Sequence, residues 1–276
     1  RIDLATALQR QDGPWWAVIG GAVLVLCVVG LAWAMSGGDL SRSQRPRAGS
    51  TGPVLAAAIG ATLPAFVLIS YGALLAASDP LLGEAMLADP VGAISSLLPD
   101  WAAVPFVLAV AGSFISGAII ALASAGLAVL AAGVSASRSA ATAIATVGIV
   151  IAAAVLTAVV AERGALGLLA ILPVVAVPVA AWTGIVAGDA MARSRPVPAI
   201  ALARRASGIP DVVWGSVGAL ILLTAIGWGL VDGVPWTGWL LPPLQAVAGD
   251  GVAAADLGVL VALVLGIPVG VLAGVR

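Results

Sequence analysis

The chain has 276 residues, 62% of them hydrophobic and 9% charged, with a mean hydropathy of +1.17. A soluble surface needs far more charge than this, so the apolar residues are expected to face lipid in an integral membrane protein. Twelve basic residues, all arginine, and thirteen acidic ones leave a net charge of -1 and no basic surface for nucleic acid, while the absence of histidine removes the usual metal ligand and general base.

The first residues, RIDLATALQRQDG, begin at Arg1 and lack the basic-then-apolar layout of a signal peptide, so the chain is expected to be a piece of a longer protein. Crossing a hydrocarbon core of about 30 Å takes about 20 apolar residues as helix. Seven runs meet that length: Pro14 to Ser36, Val54 to Ala77, Val104 to Val134, Ala140 to Ala161, Leu166 to Met191, Val212 to Val231 and Leu257 to Val275. Period-2 alternation is absent, which argues against barrel strands. The expected fold class is therefore an all-α polytopic bundle.

The first run carries Gly20, Gly21 and Gly30, the single Cys27, and Trp33 near its inner end. One cysteine builds neither a disulfide framework nor a thiolate metal cluster, and inside an apolar run it is simplest as a small apolar residue. The second run contains Pro64. After it, the loop from Ser78 to Trp101 holds a semi-apolar segment, Pro90 to Leu98, too short to span and expected to lie at the outer interface as a connector or a lid. The third run is free of ionisable groups and bears a stripe of small residues, Gly112, Ser113, Ser116, Gly117 and Ser124. Positions 113, 117, 120 and 124 share one helical face, which suits close helix packing first and ligand binding second. The fifth run includes Pro173 and Pro178. Such glycines and prolines interrupt spans, and transporters use mid-membrane breaks to present carbonyls and half-helix ends to substrate and ions.

Orientation follows from the arginines. Arg42, Arg45 and Arg47 follow the first run, Arg138 the third, Arg193, Arg195, Arg204 and Arg205 the fifth, and Arg276 the seventh, whereas the alternate loops are acidic or neutral. Positive loops stay cytoplasmic, so the start of the chain is expected outside and the C-terminus inside. The carboxylates fall in loops or at span ends, leaving no pair of buried acids for acid/base work. Asp39, Asp189 and Asp256 come closest to the membrane. The first two are expected to form interfacial ion pairs or caps, and Asp256 to mark the outer start of the last span. Trp15, Trp16, Trp101 and Trp236 fit interfacial anchors. Trp33, beside Gly30, fits either an inner anchor or a plate for a flat ligand.

Several stretches together resemble the purine and cytosine permeases of the nucleobase-cation-symport-1 family. GLAWAMSGGDLSRSQRP, from Gly30 to Pro46, is similar to that family's sixth helix and following loop, with Trp33, Asp39, Ser41 and Arg42 at the matching spacing. The third run resembles the eighth helix at Ser124, Ala125, Gly126, Leu127 and Arg138. The fifth resembles the tenth at Trp182, Thr183, Gly184 and Asp189, and LLPDW, from Leu97 to Trp101, fits its place before the eighth helix. The resemblance implies helices six to twelve of a twelve-helix, LeuT-like inverted-repeat fold. Spans one to five over 1–195 would form the second repeat, 196–211 a cytoplasmic loop, and 212–276 two additional helices, the N-terminal repeat of the same protein being the missing partner.

The same resemblance implies a plasma-membrane permease importing cytosine, a purine or a related heterocycle by cation symport. It has no catalytic residues and no cofactor beyond a coupling Na⁺ or H⁺. Gly30, Trp33, Gly117, Ala121 and Ser124 are the expected substrate-binding residues, and Ser113 and Ser116 the expected Na⁺ ligands. The family's asparagines and tyrosine in the eighth helix are replaced here by Gly117 or Ala118, Ala121 and Ala123, which leaves the substrate open. The alternative is a non-transporting polytopic subunit or scaffold whose small-residue stripes are helix contacts.

Overall fold

The computed structural model describes residues 13–41, 51–193 and 212–274, and among them all regular structure is helical. The first expected span is α1 (Trp15–Val25), a π segment (Leu26–Leu31) and α2 (Ala32–Ser41) in continuous succession. The second is α3 (Thr51–Ser78), followed by two short helices, α4 (Pro80–Ala88) and α5 (Pro90–Ser95). The third to fifth are α6 (Asp100–Ala131), α7 (Arg138–Arg163) and α8 (Ala165–Ala192). Next come α9 (Trp214–Gly229), the short α10 (Leu241–Ala248), a 3₁₀ segment (Asp250–Ala255) and α11 (Leu257–Gly274).

Among the described residues, five helices are long and apolar enough to cross a membrane: Trp15–Asp39, Thr51–Ser78, Asp100–Ala131, Arg138–Glu162 and Leu166–Ala192. The sixth and seventh expected spans are also helical, but shorter. At 16 residues, α9 reaches about 24 Å at 1.5 Å per residue, less than a hydrocarbon core of about 30 Å.

The loop between α3 and α6 is more ordered than one short interfacial helix. Asp79 and Asp89 are N-caps, each followed by proline. Asp79 Oδ1 accepts from the backbone of Leu81 (3.0 Å) and Leu82 (3.2 Å), and Asp89 Oδ1 from Gly92 (2.9 Å). Proline at the first helical position has no N–H to leave unsatisfied, and the Asp before it accepts from the next free donors, two at Asp79 and one at Asp89, so each Asp-Pro pair favours a helix start.

The expected proline breaks do not occur. Helix α3 runs through Pro64, and α8 runs through Pro173 and Pro178. In α8 the carbonyl of Val174, which Pro178 cannot serve, accepts instead from Trp228 Nε1 at 2.9 Å. A replacement donor from α9 thus satisfies the group that a proline releases.

The chain forms two compact units. The first comprises, among the described residues, Met35–Leu169. Its closest helix pair is α6 with α7: Gly126 lies against Thr142, and Ala141 is fully buried. A tight turn joins them, with Gly133 at φ +91° and Ser137 capping α7 through Ala140 N–H (3.3 Å). Elsewhere this unit turns large apolar side chains outward, Leu108, Phe114 and Ile151 among them, as lipid-facing helices do.

The second unit, Gly13–Ala34 with the described residues from Ala170 onward, has the denser core. Val23, Cys27 and Leu31 of the first span meet Val177, Ala180 and Ala181 of α8, Leu223 of α9, and Val259 and Ala262 of α11. Glycines set its helix crossings. Gly184 and Gly188 of α8 face the backbone of α11 at Leu263 and Ile267, while Gly266 and Gly270 of α11 face that of α8 at Ala181 and Ile185. Gly227 of α9 and Gly258 of α11 meet in the same manner. Small residues four apart on both partners let helices approach until backbones touch.

Candidate functional site

Gly30 does interrupt its helix, by one residue of register. In the π segment the Ala32 N–H reaches back five residues to the Cys27 carbonyl, and the helix resumes without a gap. Such a widened turn shifts every later side chain around the axis, and π turns recur where a helix presents a group for function. Here the residue that follows is Trp33, 45% exposed, with Gly30 also exposed beneath the Leu26 side chain. Both residues belong to the second unit.

The remaining expected site residues, Ser113, Ser116, Gly117, Ala121 and Ser124, belong to the first unit, on α6. This helix is unbroken. Ser113, Ser116 and Ala121 are exposed, and Ser113 Oγ donates to the Ala109 carbonyl of its own helix at 2.9 Å. A Cβ added at Gly112 or Gly117 would meet nothing within 4 Å. Among the described residues, then, Gly112 and Gly117 of the stripe pack no neighbouring helix, contrary to the first expectation from its spacing. Close packing on α6 comes instead at Gly126, outside the stripe, against Thr142 of α7. Thr183 of α8, another residue of the resemblance, likewise bonds back to its own helix, donating to the Val179 carbonyl at 2.7 Å.

Ser124 is engaged. Its Oγ donates to Asp39 Oδ2 at 2.5 Å, joining α6 to α2 within the first unit. Asp39 was expected near Arg42, which lies outside the described residues, as do Arg45, Arg47, Arg195, Arg204, Arg205 and the loop 196–211. A hydrogen bond to a carboxylate contributes about 1.5–3 kcal/mol when partly buried. In a double-mutant cycle of Ser124→Ala and Asp39→Asn, followed by unfolding in detergent, a coupling of about 1–2 kcal/mol is expected. A coupling of zero would deny the bond an energetic role.

Asp189, the other carboxylate expected in an ion pair or cap, pairs with Arg193 at 2.7 Å, one helical turn on. The bond holds the exposed guanidinium further into its protonated range, chiefly through the hydrogen bond itself.

Asp256 departs from the sequence-based picture. It lies between the 3₁₀ segment and α11, as the expected start of the last span, yet its Oδ1 is buried and accepts no hydrogen bond. It is also the one residue other than glycine among those described with a left-handed backbone, φ 46°. Burial pushes its carboxyl up to about 6; a hydrogen bond from the Asp232 backbone opposes this, and the Asp232 charge reinforces it. Sequence offered little signal here, because a carboxylate at the head of an apolar run looks like an exposed cap.

A cavity of about 190 Å³ between α9 and α11 is lined by Val213, Gly215, Ser216, Val269, Leu272 and Ala273. With one hydroxyl it lacks the convergent polar groups that fix a heterocycle, and it contains none of the expected site residues. The chain matches no protein-family model, no curated protein and no solved structure.

Proposed function

We propose that the protein is a secondary transporter of the purine/cytosine permease type. It imports a nucleobase such as cytosine or a purine, or a related small heterocycle, by cation symport and alternating access. In this reading the seven apolar runs correspond to helices six to twelve of a LeuT-like fold in the plasma membrane, with the C-terminus cytoplasmic. In it Gly30, Trp33, Gly117, Ala121 and Ser124 are the substrate-binding residues, and Ser113 and Ser116 are the candidate Na⁺ ligands. No catalytic step and no resident cofactor enter it.

The observation that carries the proposal is the π segment Leu26–Leu31, a backbone irregularity inside an otherwise helical apolar span, placed immediately before an exposed Trp33. The test is uptake of labelled cytosine, adenine and hypoxanthine by cells expressing the gene, with membrane insertion checked by surface labelling. Saturable uptake of one of them is expected; a well-inserted protein that takes up no heterocycle rejects the proposal.

The second reading, a non-transporting membrane subunit or scaffold, is favoured by the unbroken α6 and by the open space along its stripe at Gly112 and Gly117. On that reading the stripe meets a partner helix. A detergent-stable complex recovered without any uptake would support it.

A further inference from the structure

Asp256 is placed where an ionised carboxylate has little to stabilise it. Its Oδ1 is buried without a donor. Among the described residues of the second unit the one cation is Arg193, and that is bonded to Asp189. The titratable groups that face Asp256 are Asp232, from the link after α9, and the Cys27 thiol on the π segment. Neither supplies positive charge. Asp250, the remaining carboxylate of the region, begins the same 3₁₀ segment. Asp256 is part-buried as a residue, and a carboxylate with one oxygen buried and no counter-ion beside it is relieved by a proton or by an entering cation. The second needs several converging oxygen ligands, whereas no group of three or more acidic, cysteine or histidine side chains suited to a metal ion occurs among the described residues.

The surroundings are built to hold this carboxyl in place. The 3₁₀ segment lies against α1: the Ala254 carbonyl closes on Gly20, and Gly251 lies beside Trp16. Gly258, two residues beyond Asp256, meets Gly227 of α9. The backbone is therefore clamped on both sides of the left-handed turn. Asp232, beside it, is exposed, whereas Asp256 is part-buried.

We propose that Asp256 is a proton-binding site in exchange with solvent, and that the coupling ion of the transporter is H⁺, bound there, and not a metal cation at Ser113 and Ser116. In the step itself a proton moves from water to the Asp256 carboxylate, giving the neutral acid, and leaves by the same exchange; no other bond changes. The assignment to coupling rests on the transporter reading, whereas the binding of the proton does not.

The experiment is infrared difference spectroscopy of the whole chain reconstituted in lipid, stepped across pH and read at the carbonyl stretch of protonated carboxyl groups. Wild-type protein is expected to show a band with a midpoint near 6, against about 4 for an ordinary aspartate. Asp256→Asn, which tolerates the left-handed backbone, should delete that band. Asp232→Asn should keep it and move its midpoint downward, because a neighbouring negative charge has been removed. A band that persists in Asp256→Asn, a wild-type midpoint at the ordinary value, or a midpoint unmoved in Asp232→Asn overturns the proposal. Since the readout needs no substrate, absence of uptake counts against the transporter and not against the proton site. With uptake in hand, loss of its pH dependence in Asp256→Asn is expected, and unaltered dependence overturns the coupling assignment.

Discussion

Gly188→Leu is expected to leave the protein unfolded or aggregated on extraction, whereas Gly117→Leu should leave its stability within about 0.5 kcal/mol. Both are glycines in long apolar helices, and hydropathy does not separate them. Their surroundings do. A Cβ at Gly188 would collide with the Ile267 carbonyl and lie close to the backbone nitrogen of Val271, while at Gly117 it would meet nothing within 4 Å. The obstacle at Gly188 is main chain, which has no alternative rotamer, so the two helices must separate. Separation also opens the reciprocal contacts of Gly184, Gly266 and Gly270 along the same crossing. Overpacking costs about 1–3 kcal/mol even where side chains yield, and here the backbone must move, so the loss is expected at or above about 3 kcal/mol of a total of about 5–15. Gly266→Leu, on the facing helix, should behave alike. Size-exclusion profiles and denaturant titration in detergent distinguish the outcomes; a monodisperse Gly188→Leu protein with an unshifted midpoint would show that α8 and α11 do not depend on this approach.

The sequences behind that crossing, GIVAG in α8 and GIPVG in α11, stand in plain view. What the sequence does not carry is the pairing. Small residues spaced four apart occur in the third run as well, and the pattern says that a helix is able to come close, not which helix arrives. Hence the stripe of α6 invited a packing role that the described structure gives to α8, α9 and α11 instead.

The spans themselves were legible because lipid requires long uninterrupted apolar runs, a constraint that composition expresses directly. Their ends were less so. The Asp-Pro pairs at 79–80 and 89–90 were available as helix starts, but the surrounding apolar content concealed two short helices within one loop. Of the candidate site, the irregularity at Gly30 was legible from the residue, since glycine adapts readily to a distorted turn. Its π character was not, because it depends on how Val23, Cys27 and Leu31 settle into the core of the second unit. Asp256 was illegible for a related reason: whether a carboxylate oxygen at a span end reaches water depends on the fold around it, and here Oδ1 does not.

The prolines of α8 are expected to make the cost of one tryptophan substitution depend on another residue four positions along the neighbouring helix from its bond. Trp228→Phe keeps an aromatic ring in edge-to-face contact with Trp236, whose centroid lies 5.0 Å from that of Trp228 at 87°. It removes the Nε1–H that the Val174 carbonyl accepts. With Pro178 in place that carbonyl has no helical donor, and leaving it unsatisfied among apolar neighbours should cost about 1–3 kcal/mol. In a Pro178→Ala background the Ala N–H is free to close the ordinary helical bond to Val174, so Trp228→Phe should cost less than about 1 kcal/mol. The measurement is the difference between the two costs in unfolding titrations of the four proteins. Equal costs would mean that the indole does not compensate for the proline. Unequal ones would explain how a helix carrying two prolines stays whole: the break foreseen at Pro178 is repaired from α9, through an apolar side chain whose single polar atom is aimed at the one carbonyl that needs it.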